Sequence, residues 1–255
     1  MTEPRRAIDR FRLDGRLALV TGASRGIGRA CALGLAEAGA DVAIVARDSN
    51  ALADLARAIE ALGRNVHVLE RDVTDGEGMA DDIAALPRLD VLVNNAGTNA
   101  PQPFLEVDGE TFDRLFTLNV RAALFTAQAA ARRMIASGGG SIIHMSSQAA
   151  HTGLRDRTVY CASKAALEGL TRAMAVDLAG TGVRVNTVAP TFVRTEMTAA
   201  QLDRPDFRAY VDAHILTGRL AEMEEVAAAV IYLASDAAAS TTGTSIAVDG
   251  GWLAH

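Results

Sequence analysis

Apolar residues fall along this chain in two alternating rhythms. Short runs rich in β-branched and aliphatic side chains occupy residues 17–21, 42–46, 66–69, 89–93, 141–145, 183–188 and 245–248, and they read as strands. Longer stretches with helical spacing cover residues 26–38, 51–62, about 78–85, about 112–136 and about 158–179. Several of these stop at glycine: at Gly39, at Gly63, at Gly138-Gly139-Gly140, and at Gly180 and Gly182. Glycine ends helices because it takes the left-handed conformation without steric cost. Strand and helix in regular alternation predict an α/β fold. It is a single-domain, doubly wound parallel β-sheet with helices on both faces. No linker, repeat or low-complexity segment interrupts it, so residues 13–255 read as one domain behind a polar arm at 1–12. Residues 190–218, with Pro205 and scattered charges, break the alternation and are expected to form a substrate lid.

Composition narrows the classes. The chain has 255 residues, 49% of them hydrophobic, which is enough for a sizeable core. A net charge of −6 argues against a nucleic-acid partner, which would leave a basic footprint. The only cysteines, Cys31 and Cys161, lack metal-ligand spacing, so no metal is expected. Two unpaired thiols suit a reducing compartment. No apolar run approaches the roughly 18 residues of a membrane span. Residues 1–12 hold four arginines together with Glu3 and Asp9 and no apolar stretch, so they do not read as a secretory signal. A cytoplasmic location is expected.

Of the 25 cationic side chains, one is lysine: Lys164. A chain that uses arginine elsewhere has placed a compact ammonium where a planar, forked guanidinium would not serve. Tyr160 lies four residues earlier, one helical turn away on the same face. An adjacent ammonium favours phenolate, which is expected to pull the tyrosine pKa down from about 10. A surface Tyr/Lys pair is the bland alternative. At the other end of the chain, the first strand runs directly into Thr21-Gly22-Ala23-Ser24-Arg25-Gly26-Ile27-Gly28 and then a helix. Glycines there let the backbone turn tightly and approach a pyrophosphate at the helix N-terminus. The spacing is G-x-x-x-G-x-G rather than G-x-G-x-x-G.

Gly22/Gly26/Gly28, Asn94-Asn95-Ala96-Gly97 after the fourth strand, Asn119, Ser147 and Tyr160/Lys164 together resemble the short-chain dehydrogenase/reductase family. The resemblance spans about residues 13–252, with Ser147 thirteen residues before Tyr160. It implies a Rossmann-type dinucleotide-binding enzyme that interconverts a secondary alcohol and a ketone. Tyr160 would be the general acid in reduction and the base in oxidation. Lys164 would bind the nicotinamide ribose and lower the Tyr160 pKa. Ser147 would polarise the substrate oxygen, and Asn119 would hold a water linking Lys164 to solvent. Ser146 rivals Ser147, but one residue off at a strand end it should face the other way. Cofactor contacts implied are Gly22, Ser24, Arg25, Gly26, Ile27, Gly28, Arg47, Asp72, Val73, Asn94, Ala96, Gly97, Pro190, Val193 and Thr195, beside Tyr160 and Lys164.

Arg47 stands where family members that use NAD tend to carry Asp, and Arg25 resembles the second basic residue of NADP-preferring members. Two cations suit a 2′-phosphate, so NADP(H) is expected, with NAD possible. Asp48 reads as the cap of the next helix rather than as a ribose ligand. The family often has Pro-Gly after the sixth strand. This chain has Pro190-Thr191, so the turn is expected to avoid positive φ.

Gln148, His151, Arg157 and Thr191 are the candidate substrate residues, with Phe192, Arg194, Glu196 and Met197 at the start of the lid. His151 also suits a local hydrogen bond, and Arg155 and Arg157 also suit bracing the loop through Asp156 or another subunit. A polar and cationic rim favours a small polyol, sugar, or hydroxy or keto acid. Aromatic content of 4% gives little support for a ring-stacking pocket. The alternative is a 3-oxoacyl-carrier-protein reductase, for which Arg132, Arg133 and Arg172 would supply docking cations, diluted by Val176-Asp177. A non-catalytic dinucleotide-binding redox sensor is the remote one. The resemblance further implies a homotetramer or homodimer built on the helices around Asn119 and Tyr160–Lys164 and on the C-terminal Asp249-Gly250-Gly251-Trp252.

Overall fold

The computed structural model describes residues 6–254, so Met1–Arg5 of the expected polar arm lie outside the described residues. Seven strands form one parallel sheet in the order β3-β2-β1-β4-β5-β6-β7. They are β1 Leu17–Thr21, β2 Asp41–Ala46, β3 Val66–Glu70, β4 Val91–Asn94, β5 Gly140–Met145, β6 Val183–Pro190 and β7 Ser245–Val248. Nine α-helices accompany them among the described residues: α1 Gly26–Glu37, α2 Ser49–Ala61, α3 Gly76–Ala85, α4 Gly109–Phe116, α5 Ala123–Ala136, α6 Thr158–Asp177, α7 Ala199–Leu202, α8 Pro205–His214 and α9 Met223–Ala234.

Side chains alternate across each strand and so feed two cores. On β1, Ala18 and Val20 face α1, α2 and α9 through Leu35, Leu55 and Val230. Leu17 and Leu19 face α3 and α5 through Ile83, Ala127 and Met134. Close packing of α1 on α9 depends on Gly34, whose missing Cβ would stand 3.3 Å from the Ala227 Cβ.

Two elements differ from the sequence expectation. The helix expected at about 112–136 is broken by a π-helical turn, Thr117–Ala122, which buries Asn119 and Ala122. Helix α9 was not among the expected elements. It buries Val226, Ala227, Val230, Leu233 and Ala234, and a capping box between Glu222 and Glu225 starts it. The segment expected as a lid contains α7 and α8, with Pro205 in the first turn of α8. Aromatic residues, sparse overall, converge there. The Phe192 ring lies 5.2 Å from Phe207 and 5.5 Å from Trp252, and His214 stacks on Trp252 at 4.8 Å.

One polar pair sits inside the sheet's core. Asn94, ending β4, donates through Nδ2 to the Ala123 carbonyl at 2.9 Å and meets His144 Nδ1 at 3.3 Å. His144 on β5 is wholly buried, and its Nε2 has no protein partner. Burial, aided by the Lys164 charge, pushes the His144 pKa from 6.5 to about 4. Below pH 6.5 the unfolded chain therefore takes up a proton that the folded chain refuses. The associated stability is complete above that pH and is lost as pH falls towards 4, by roughly 3 kcal/mol in all. Replacing His144 by Gln is expected to flatten the fall in thermal midpoint between pH 6.5 and 4. Calorimetry across that window checks it, and an unchanged slope in the variant refutes it.

Candidate active site

The carboxyl ends of β1 and β4 meet where the strand order reverses, the crevice in which open α/β sheets take their ligands. Thr21 ends β1, and its hydroxyl accepts from the amides of Asn95 and Ala96, each at 3.1 Å. The Asn95 amide answers by donating to the carbonyls of Thr21 at 3.0 Å and Gly22 at 3.2 Å. This clamp presses the glycine turn against the end of β4 so closely that no side chain fits. A Cβ on Gly28 would lie 2.2 Å from the Gly22 oxygen, and one on Gly22 would lie 2.9 Å from the Ala96 Cα. Gly22 and Gly26 also have φ of +63° and +55°. A bare backbone turn feeding the N-terminus of α1 fits a dinucleotide pyrophosphate. Thr21 and Asn95 were not among the expected site residues. Their only signal in the sequence is a hydroxyl and an amide flanking the two glycine-bearing turns.

Beyond the carboxyl end of β2, Asp48 caps α2, its carboxylate accepting from the Ala51 amide at 3.0 Å. Arg47 is exposed and lies 3.5 Å from Asp72. The Asp72 carboxyl is held below the usual range by bonds from Thr74 and by the Arg47 charge. Val73 is buried. Arg25 reaches across to Glu196 at 3.1 Å, so the glycine turn and the start of the segment expected as a lid are ion-paired at the surface. Ser24 and Ile27 are half-buried within the same turn.

At the other end, α6 carries Tyr160 and Lys164 on successive turns. Lys164 is buried, and its ammonium donates to the Met145 carbonyl at 2.8 Å. Gly97 passes directly over it, since a Cβ there would stand 3.5 Å from Nζ. Burial lowers the Lys164 pKa to about 8. Asn119, in the π-turn, exchanges two 2.9 Å bonds with the backbone of Thr98 and donates to Ser163 Oγ at 3.0 Å. Ser163 in turn donates to the Tyr160 carbonyl at 2.8 Å. The loop after β4, the π-turn and the first turns of α6 are thus tied through one amide side chain.

The expected acid shift of Tyr160 is corrected. Burial raises its pKa, and the hydrogen bond with Ser147 and the Arg157 charge oppose this only in part. The Lys164 ammonium lies 5.7 Å from the ring centroid and is committed to Met145, and burial wins. Ser147 Oγ donates to Gln148 Oε1 at 2.7 Å and accepts from the Ala149 amide at 3.2 Å. Ser146, its rival, is buried with an unpartnered hydroxyl.

The candidate substrate residues separate. Gln148 is buried beside Ser147. His151 turns to Glu168 on α6, 3.4 Å away, whose carboxylate also receives Thr187 and Ser245. Arg157 is buried at the start of α6, whereas Arg155 is almost fully exposed. Pro190 pairs with Val248 at the end of β6. Thr191 follows without positive φ, as expected, and its hydroxyl is buried without a partner. Val193 is buried and bridges to Ala221, while the Thr195 amide donates to Thr198 Oγ1 at 2.9 Å. Arg194 pairs with Asp203 at 2.9 Å, and Met197 is exposed. Arg133 donates to the carbonyls of Leu86 and Pro87, which anchors it to the protein itself. Among the described residues no cluster suits a metal ion, and no helix is long and apolar enough to cross a membrane.

The family described as enoyl-(acyl carrier protein) reductase matches residues 22–253. Bovine (Bos taurus) L-xylulose reductase is 44% identical over 246 residues, 96% of this chain and 99% of that protein. D-Erythrulose reductase of Gallus gallus is 42% identical, over 94% of this chain and 96% of its own. Among solved structures, a gluconate 5-dehydrogenase from Burkholderia cenocepacia J2315, in complex with NADP and tartrate, superposes with a TM-score of 0.94. It is 36% identical and covers 98% of this chain and 100% of that one.

Proposed function

Because the chain belongs to the short-chain dehydrogenase/reductase family and is an NAD(P)-dependent oxidoreductase interconverting a secondary alcohol and a ketone, we propose that it works with NADP(H). We further propose Tyr160 as its general acid and base, and a small polyhydroxylated sugar, polyol, or hydroxy or keto acid as its substrate. The observation that supports this reading is the meeting of Ser147, Tyr160 and Lys164 at the carboxyl end of β5, next to Gly97 in the loop whose Ala96 packs on the glycine turn. The relatives named for erythrulose, xylulose and gluconate support the substrate class.

The nicotinamide supplies or accepts the hydride, and the protein's task is orientation and one proton. The backbone of Gly22, Ser24, Gly26, Ile27 and Gly28 holds the pyrophosphate at the N-terminus of α1. Arg25 and Arg47 meet the 2′-phosphate, exchanging Glu196 and Asp72 for it. Asp72 and Val73 border the adenine, and Asn94, Ala96 and Gly97 follow the ribose side through their backbone, since the Asn94 amide is turned inward. Pro190, Val193 and Thr195 border the carboxamide. Ser147 holds the substrate oxygen next to Tyr160. Burial keeps Tyr160 protonated, which suits it to donate in the direction of reduction. Lys164 binds the nicotinamide ribose, and Asn119 keeps the loop over Lys164 in place while a water joins the ammonium to solvent. Gln148 and Thr191 bound the substrate. Exposed Phe112 and Phe125 on α4 and α5, with Arg121 stacked 5.0 Å over Phe125, support pairing of two chains along these helices.

Spectrophotometry of NADP(H) turnover against a panel of polyols, ketoses and sugar acids tests the reading. Tight cofactor binding without turnover of any of them overturns it. Tyr160→Phe is expected to lose about 10²–10⁴-fold in rate. Lys164→Arg is expected to be as damaging as Lys164→Met, since a planar, forked guanidinium does not match the single Met145 carbonyl that the compact ammonium meets. An active arginine variant contradicts the assigned role. Arg47→Asp is expected to move the NADP/NAD preference towards NAD, read as the ratio of kcat/KM values, and an unmoved ratio removes Arg47 from the cofactor site. Light scattering at micromolar concentration is expected to show a dimer or tetramer, and a monomer refutes the pairing.

A further inference from the structure

Thirteen arginines of the chain form ion pairs with carboxylates among the described residues, and most of them are exposed. Arg184, largely inside, satisfies itself with the carbonyls of Thr241, Leu233 and Ser235. Arg157 does neither. It is 8% exposed, and its guanidinium makes one hydrogen bond, to the Asp156 carbonyl at 3.2 Å. The carboxylate of Asp156 makes its ion pair with Arg155, 4.0 Å away, and reaches Arg157 only as a nearby charge. The remaining donors of Arg157 are unpartnered but not sealed off, so a mostly buried cation with one neutral acceptor stays open to an anion that would complete it.

Its place is as informative as its isolation. Arg157 is one helical turn before Tyr160, and the two side chains sense each other's charge. Asp156, just ahead of it, has φ of +57°, the only positive φ outside glycine among the described residues. Strain of this kind persists where surrounding contacts enforce it. Here the Asp156 carbonyl takes the Gln102 amide at 3.0 Å as well as Arg157, so the loop after β4 holds the guanidinium at the start of α6. Of the five buried side-chain oxygens without a partner among the described residues, Gln102 Oε1 and Asn99 Oδ1 lie on that loop and Thr191 Oγ1 follows β6. Each accepts a hydroxyl proton.

We propose that Arg157 binds the carboxylate of the substrate, so that the enzyme acts on a polyhydroxy acid rather than on a neutral sugar or polyol. The proposal rests on the oxidoreductase reading above and selects among the substrates that reading admits. The acid end is seated at Arg157, the reacting carbon lies between Ser147 and Tyr160, and intervening hydroxyls find the unpartnered acceptors. A carboxylate there also draws off part of the cationic field that Arg157 exerts on the Tyr160 phenol, favouring its protonated form.

The test compares matched pairs with NADP⁺ as oxidant: threonate with threitol, xylonate with xylitol, gluconate with glucitol. Each pair shares its hydroxyl pattern and differs in one terminal carboxylate. The aldonates are expected to be favoured about 10–100-fold in kcat/KM, the range of a hydrogen bond to a charged group. In Arg157→Leu the aldonate-to-alditol ratio is expected to fall by the same factor, chiefly through KM, and Arg157→Lys is expected to restore part of it. Should Arg157→Leu fail to fold, inhibition of the unmodified enzyme decides. Succinate is expected to compete with substrate and 1,4-butanediol is not. Alditols preferred over aldonates, or equal losses on both in the variant, overturn the proposal and leave the reaction class standing. No turnover of either series with NADP⁺ bound overturns both.

Discussion

A buried ammonium must be compensated, and much of this active site is the compensation for Lys164. Its charge has one carbonyl, that of Met145, at 2.8 Å. That carbonyl exists as a free acceptor because β5 ends there, before the chain turns into the short helical turn that Ser147 caps. Gly97 lies over Nζ, and a Cβ there would press on Asn119 Oδ1 at 3.2 Å and touch Nζ at 3.5 Å. Even so, burial brings the Lys164 pKa to about 8, which makes its charge responsive to whatever lies beside it. An ammonium held this way is a donor kept ready, at a standing cost in stability.

The surrounding framework explains how the cost is borne. Thr21 and Asn95 lock the ends of β1 and β4 together through four hydrogen bonds, which fixes the glycine turn on one side of the crevice. Asn119 locks the following loop to α6 on the other side. The π-turn is what allows this. One additional residue per turn lets Asn119 face inward while α4 before it and α5 after it keep their own apolar faces on neighbouring helices and on the sheet. Both locks are made by neutral amide and hydroxyl side chains, so they hold position without adding charge to the site.

Most of the architecture was legible because buried β-branched runs and glycine stops are local signals. The strands at 17–21 and 245–248 were read to the residue. Helix α9 escaped because Met223-to-Ala234 is apolar nearly all round and follows an irregular stretch, so it offers no amphipathic period to read. The π-turn escaped because a single extra residue hardly disturbs a pattern of period 3.6 over 25 positions. The Tyr160/Lys164 pair was legible in spacing, yet the direction of the tyrosine shift was not. That sign depends on burial and on where the ammonium points, and neither is written in a four-residue interval. Arg157 and Arg155 are indistinguishable as letters, and only packing makes one a buried cation and the other a surface one. Composition is silent on placement in the same way: 4% aromatic is an average, and Phe192, Phe207, Tyr210 and Trp252 gather at one place.

Seclusion of the sole lysine leaves an exterior whose cationic side chains are all guanidinium. Acylating esters, aldehydes and isothiocyanates require an accessible, unprotonated primary amine, and no exposed side chain provides one. Ordinary amine chemistry therefore leaves the exposed side chains of this protein unmodified. By the same token, every exposed site for trypsin is an arginine.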